Sequence, residues 1–432
     1  MTATTAGTGM TAGQEWRSYW GLVLAAMLGT SVVGIPSVVL GLFILPLQDT
    51  FGWSRAEIST GMTVFALVST PLAPFAGALA DRFGSRAVAL PGLFLSGICF
   101  AAFGLGTGSI WLWVANWTVY TLTALLIRSM IWNRAISNAF SASRGLALAV
   151  IMNGSALCQI VGPIVTQWLI VDYGWRMAFA GLGLGWGGIG FLAVLLLFHE
   201  PRKVAPAAAA GASDGSAPAP APAPAQGGLT LAQAARDPRM LRIACAMLIH
   251  TAIMVGFMVH MFPLLTDAKV SPGQAASMLA STGISSLLGQ FVTGWLADRV
   301  KGSLLPASCF LLSVAGYCVM LVASGSVPLL WLGVLMITYG GSASLNIAVY
   351  LTTRYSGLPH FGKIFGSISS CMGLGVGIGP LIAGYIYDTT GNYDVYLVVA
   401  AISLSVAALA VFRLGPYPNF EAQAPSPATA GE

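Results

Sequence analysis

Apolar stretches about as long as a membrane is thick, separated by short polar breaks, dominate the chain. They fall at about 18–47, 56–80, 87–106, 110–135, 145–170, 175–198, 241–265, 273–297, 304–324, 328–350, 364–387 and 394–413. A helix needs roughly 20 residues to cross the hydrocarbon core of a bilayer. None of the runs alternates with period two, as a barrel strand does. Lipid offers the backbone no hydrogen bonds, so spanning segments without that alternation must be helical. The pattern predicts an all-α membrane protein with twelve transmembrane helices. The first run is too long for the apolar core of a cleaved leader and is read as an uncleaved first span.

Residues 201–228, PRKVAPAAAAGASDGSAPAPAPAPAQGG, interrupt the pattern. An Ala/Pro/Gly tract whose one large apolar residue is Val204 cannot build a core and reads as an extended cytoplasmic linker. It divides the chain into a six-helix bundle over residues 16–200 and another over 229–415. Residues 1–15 and 416–432 read as disordered tails. The halves repeat at an offset of 217 residues: Asp81-Arg82 recurs as Asp298-Arg299, Gly162-Pro163 as Gly379-Pro380, and Gly174 as Gly391. Ser54…Glu57 recurs as Ser271…Gln274, and each reads as a capping box opening a helix. Two parallel six-helix repeats around a central cavity are what secondary transporters of this size use.

Composition narrows the class. Of 432 residues, 56% are hydrophobic and 8% charged, against about 25% charged in a soluble domain. That excludes a soluble enzyme and a disordered chain. The net charge of +5 does not point to nucleic acid, because the basic residues stand singly at the ends of apolar runs. Those residues set the orientation instead. With the N-terminus in the cytoplasm, fifteen of the nineteen Lys and Arg fall on the inside. Arg55, Arg176 and Lys269 fall outside, and Arg128 lies within the fourth span. Both termini come out cytoplasmic. The six cysteines lie in apolar runs with no CxxC pair, so neither disulfide, metal nor cofactor is expected.

The loop after the second run reads Gly77-Ala-Leu-Ala-Asp81-Arg82-Phe-Gly84-Ser-Arg86. It resembles the signature loop of the major facilitator superfamily, and Gly294-Trp-Leu-Ala-Asp298-Arg299 is a degraded second copy. The resemblance implies twelve helices, alternating-access transport, and gating latches at Asp81, Arg82, Arg86, Asp298 and Arg299. Phe51-Gly52-Trp53-Ser54-Arg55 and Asp388-Thr-Thr-Gly391-Asn-Tyr393 are similar to segments of the monocarboxylate porter and oxalate/formate antiporter branch. That branch places a basic residue in the core of helix eight or eleven. Helix eight here has none, and helix eleven has only Lys363 at its cytoplasmic entrance, so the branch's binding residues do not carry over. The glycines of Gly373-x-Gly375-x-Gly377-x-Gly379 have apolar flanks and no preceding strand. They read as helix packing, not nucleotide binding.

Arg128 is the one basic residue deep in a span, roughly 25 Å from the outer end at 1.5 Å per residue. An intramembrane arginine costs at least about 2.5 kcal/mol unless it meets water or a partner. No Asp or Glu occupies a helix core, so a substrate carboxylate would supply the counter-charge. The bland alternative is a side chain that snorkels inward or bonds to carbonyls. Thr121, Leu125 and Trp132 share its helical face by i±3/4/7 spacing. His250, near the middle of helix seven, is read either as a ligand or proton group or as a packing histidine. Tyr339, Ser342, Asn346 and Tyr350 form a polar stripe on helix ten, the repeat mate of helix four.

The expected function is secondary transport of a small mono- or dicarboxylate, by proton symport or anion exchange, in a bacterial inner membrane. A monomer embedded in lipid, with no nucleic-acid partner and no enzymatic activity, is expected. Substrate contacts fall to Arg128, Thr121, Trp132, His250, Tyr339, Asn346 and Tyr350. The alternatives are an exporter of a neutral or hydrophobic compound, and a non-transporting membrane sensor on the same scaffold.

Overall fold

A computed structural model describes residues 10–199 and 228–418, apart from 298, 300–303, 324, 343, 358–359, 413, 416–417 and the side chains at 297 and 344–346. The expected linker core and both outermost tails, with Asp298 and the Asn346 side chain, lie outside the described residues. Every regular element among those described is helical. In order they are α1 (Ala12–Phe51), α2 (Arg55–Phe83), α3 (Ser85–Ala102), α4 (Ile110–Ala124), α5 (Ser129–Ala139), α6 (Arg144–Ala180), α7 (Gly187–Leu197), α8 (Leu231–Ala234), α9 (Pro238–Asp267), α10 (Pro272–Ala297), α11 (Leu304–Val322), α12 (Val327–Ser342), α13 (Ser344–Ser356), α14 (Phe361–Thr390) and α15 (Asp394–Phe412).

Eleven continuous helical paths are long and apolar enough to span a membrane, one of them the 54 residues Arg144–Leu197. Gly174 within that path has φ 80° and ψ 161°. An L side chain disfavours such a backbone and glycine does not, so two spans meet there and the described residues contain twelve. The offset of 217 reappears in turns between the helices. Gly52 and Lys269 have φ 69° and 66°, Gly108 and Gly325 have 90° and 80°, and Gly174 and Gly391 have 80° and 74°. The same turn geometry recurs even where Lys269 replaces a glycine. At Ser54 the capping box is complete. At Ser271 the hydroxyl accepts from Gln274 N at 3.4 Å and donates to its Oε1 at 3.0 Å.

The chain forms two compact units that do not follow the two halves residue for residue. The first comprises Met1–Pro201, Gly256–Leu287 and Pro380–Asn392; the second comprises Arg202–Val255, Leu288–Gly379 and Tyr393–Glu432. Helices α9, α10 and α14 are thus divided: residues 256–267, 272–287 and 380–390 belong to the first unit. In the first unit α1 packs along α6, and Phe43, Phe100, Phe103, Trp117, Tyr120 and Phe179 form a buried aromatic cluster. In the second, α11 packs between α12 and α15. The Tyr396 hydroxyl on α15 donates to the Ile253 carbonyl of α9 at 2.7 Å. Large apolar side chains also cover the exterior, among them Trp111 (80% exposed) and Leu105 (77%). On a soluble protein such a surface would aggregate; here it faces lipid. All six cysteines are free thiols.

Candidate functional site

Span four is not one helix. It runs as α4, a tight turn over Leu125–Ile127, and then α5, with Arg128 extended between them at φ −66° and ψ 158°. In an unbroken helix Ile131 N would bond to the Ile127 carbonyl. Here it bonds to the Arg128 carbonyl at 2.9 Å. The released Ile127 carbonyl is taken by the Trp132 indole N–H at 2.7 Å. Arg128 therefore sits at a break whose backbone is repaired by a side chain, and it caps the N-terminus of α5. The first N–H groups of a helix lack intrahelical acceptors and carry partial positive charge. Arg128 is partly buried, and its Nη1 is shut off from solvent with no hydrogen-bond acceptor among the described residues.

The break corrects the expected face around Arg128. Helical spacing relates Thr121, Leu125 and Trp132 to Arg128 only if the helix is continuous. Thr121 is fully buried and its hydroxyl donates to the Trp117 carbonyl at 2.6 Å. Trp132 is also fully buried, edge-on to Phe198. It acts as the brace of the break, not as an open surface. His250, in the second unit, is walled in as well. Its ring stacks on Phe310 at 4.8 Å and its Nε2–H donates to the Gly341 carbonyl at 3.3 Å. That carbonyl can only accept, so the proton is on Nε2. Tyr339 and Tyr350 are half-buried, on α12 and α13 of the same unit. Ser342 spends its hydroxyl on the Tyr339 carbonyl at 2.8 Å.

At the inner loop, Asp81 pairs with Arg134 of α5 at 2.9 Å, and Arg134 also donates to the Ser85 hydroxyl at 3.3 Å. Arg86 donates to the Leu195 carbonyl at 2.7 Å. Arg82 is exposed beside Phe83, and Arg299 folds over Trp295 while donating to its carbonyl at 3.0 Å. The Asp81–Arg134 pair ties α5 to the C-terminal end of α2. Glu15, at the start of α1, is likewise committed: its carboxylate accepts from the N–H groups of Ser141, Ala142 and Ser143 and from both serine hydroxyls.

The sequence reading missed the burial of another arginine. Arg55, expected as an outer-loop cation, is the first residue of α2 and only 3% exposed. Its guanidinium pairs with Asp267 at 3.0 Å, donates to Gln48 Oε1 at 3.1 Å and lies 3.5 Å from the Tyr387 ring centroid. Asp388 accepts from the backbone N–H groups of Arg55 and Ala56 at 3.0 and 2.9 Å. All of these residues belong to the first unit. The one cue in the sequence was negative: Arg55 breaks the inside bias of basic residues, and a cation on the disfavoured side needs a partner. Arg176, a second exception, bonds to the carbonyls of Gly104 and Gly106 at 2.9 and 3.0 Å.

Comparison with known proteins places this geometry in context. The model of the Major Facilitator Superfamily matches residues 22–300 and 243–431. Monocarboxylate transporter 13 of Bos taurus is 26% identical over 403 residues, covering 89% of this chain and 86% of that protein. An uncharacterised transporter of the same superfamily type from Bacillus subtilis (strain 168) is 23% identical, covering 87% and 89%. Among solved structures, a bacterial homologue of the human lysosomal transporter Spinster matches with a TM-score of 0.69 at 16% identity, over 95% of this chain and 100% of that one. A D-xylose–proton symporter matches with a TM-score of 0.69 at 15% identity, over 92% and 98%.

Proposed function

Since the chain belongs to the Major Facilitator Superfamily, a family of membrane transporters and not of enzymes, we propose that it carries a small organic anion, a mono- or dicarboxylate, across a bacterial inner membrane by alternating access. The observation that carries this reading is Arg128 Nη1, enclosed and without an acceptor among the described residues. A guanidinium in a membrane requires a counter-charge or water. A carboxylate supplies two oxygens in a plane that matches the guanidinium fork. The N-terminus of α5, at the same break, adds donors and a favourable dipole. The similarity to proteins named monocarboxylate transporters supports the same cargo class.

Roles follow from placement. Arg128 holds the cargo's charge, and Trp132 holds the break that presents it. Thr121 is buried in α4 with its hydroxyl bonded to the Trp117 carbonyl. Within the second unit, Tyr339, Tyr350 and His250 remain the proposed cargo contacts, His250 through a ring already bonded to the Gly341 carbonyl. Asp81, Arg82 and Arg86 latch the inner loop, with Arg134 as the counter-ion of Asp81, and Arg299 does so at the second copy. Proton symport and anion exchange both satisfy the charge balance, with both termini in the cytoplasm.

Uptake of labelled carboxylates into proteoliposomes under an imposed pH gradient tests the reading. The native protein accumulates at least one organic anion and Arg128→Gln does not. Equal uptake by the two proteins, or transport of neutral solutes alone, removes Arg128 as the cargo's charge partner.

A further inference from the structure

We propose that Arg55, with the helix N-terminus it opens, is the bolt of an outer gate, and that the outer face opens only when Asp267 and Asp388 release it. Three elements converge on one residue at the outer end of the first unit. The guanidinium holds Asp267 at the end of α9 and Gln48 of α1, and it lies on the Tyr387 ring of α14. The backbone of the same residue and of Ala56 holds Asp388 of α14. The remaining orphan donor of the turn, Glu57 N, is met by Ser54 at 3.1 Å. A carboxylate across two N–H groups at a helix start is favoured by hydrogen bonding and by the dipole together.

A second tie lies beneath the first. The Ser59 hydroxyl donates its one hydrogen to the Arg55 carbonyl at 2.7 Å, so towards His260 its oxygen can only accept. His260 Nε2 lies 3.0 Å from that oxygen and 2.9 Å from the Pro380 carbonyl, which also only accepts. The proton is therefore on Nε2, and one N–H joins α2, α9 and α14. Close packing matches the polar contacts. A Cβ on Gly384 of α14 would lie 2.7 Å from Ala56 N and 2.8 Å from its Cα. Only glycine lets α14 rest directly on the start of α2.

This assembly is suited to release and is not a permanent cement. Arg55 is buried, but its partners are wet: the Asp267 side chain is 39% exposed and Asp388 is exposed. Parting them leaves each carboxylate hydrated and admits water to the arginine, so no charge is stranded in lipid. The outer stretches held by the bolt, from Gly256 in α9 and Pro380 in α14, are those that belong to the first unit while the rest of each helix belongs to the second. Opening the outer face therefore requires those stretches to leave α2. The proposal does not depend on the nature of the cargo.

Ser59, fully buried behind Arg55, provides the reporter. With Ser59→Cys in right-side-out vesicles, a membrane-impermeant thiol reagent is added outside without substrate, and labelling of the protein lacking that cysteine is subtracted. Ser59→Cys alone labels slowly. Adding Arg55→Gln or Asp388→Asn raises the rate roughly tenfold or more, as loss of a charge-assisted contact shifts a two-state gate. Glu57→Gln, which alters only the capping box, leaves it slow. Unchanged labelling in both variants, in protein that stays monodisperse in detergent, overturns the proposal. An equal rise with Glu57→Gln does so too, since it means general loosening of α2. Should Arg55→Gln fail to fold, Arg55→Lys and Asp388→Asn carry the same test.

Discussion

The first unit contains two arginines withdrawn from solvent to different degrees, Arg55 buried and Arg128 partly buried, with opposite surroundings. Arg55 meets a carboxylate, an amide oxygen and an aromatic face. Arg128 meets none of these through Nη1, and its own backbone has left the helix. A charge whose partners are built into the chain does structural work that ends when they part. In the proposals above, a charge without one waits for a partner that arrives, so the same side chain type serves as bolt in one place and receptor in the other, and neighbouring groups distinguish the two.

The contrast predicts unequal responses. Arg128→Gln should lower organic-anion uptake by about 100-fold or more, since truncating one partner of a buried charge pair costs about 2–5 kcal/mol. Arg128→Lys should lose less, because it keeps the charge and forfeits the planar fork. If the lysine variant is as inactive as the glutamine one, geometry matters more than charge. Gly384→Ala is next. Its methyl must displace the backbone of Ala56, so the outer face should label several-fold faster in the Ser59→Cys assay while Arg128 is untouched.

Trp132→Phe comes third. It strands the Ile127 carbonyl, so unfolding in detergent should show a loss of about 1–3 kcal/mol, with a smaller fall in uptake than Arg128→Gln. Uptake unchanged, with stability lowered, would mean that the break survives without its brace. Asp81→Asn should have the smallest effect on stability. Asp81 is 74% exposed in its pair with Arg134, so the melting temperature should move little, as exposed pairs contribute about 0–1 kcal/mol. Slower turnover at unchanged melting temperature would assign the pair to gating.

Much of the fold was legible because lipid imposes it. Run length fixed the twelve spans, and the 217 offset pointed to the repeat; the positive φ that Lys269 shares with Gly52 came only from the structure. Arg128 was legible because a cation in an apolar run is conspicuous by type alone. Its setting was not. Leu125–Ser129 has no proline or glycine to announce a break, and helical spacing does not reveal that Trp132 turns its indole N–H to the Ile127 carbonyl. The bolt was illegible for a different reason. Arg55, Asp267 and Asp388 lie in separate outer turns, up to 333 residues apart, and each by itself reads as a solvated charge. Composition and periodicity are local or one-dimensional quantities, so they can say that a charge must be neutralised. Which group neutralises it depends on distances of a few ångströms between distant segments, and these exist only once the helices have packed.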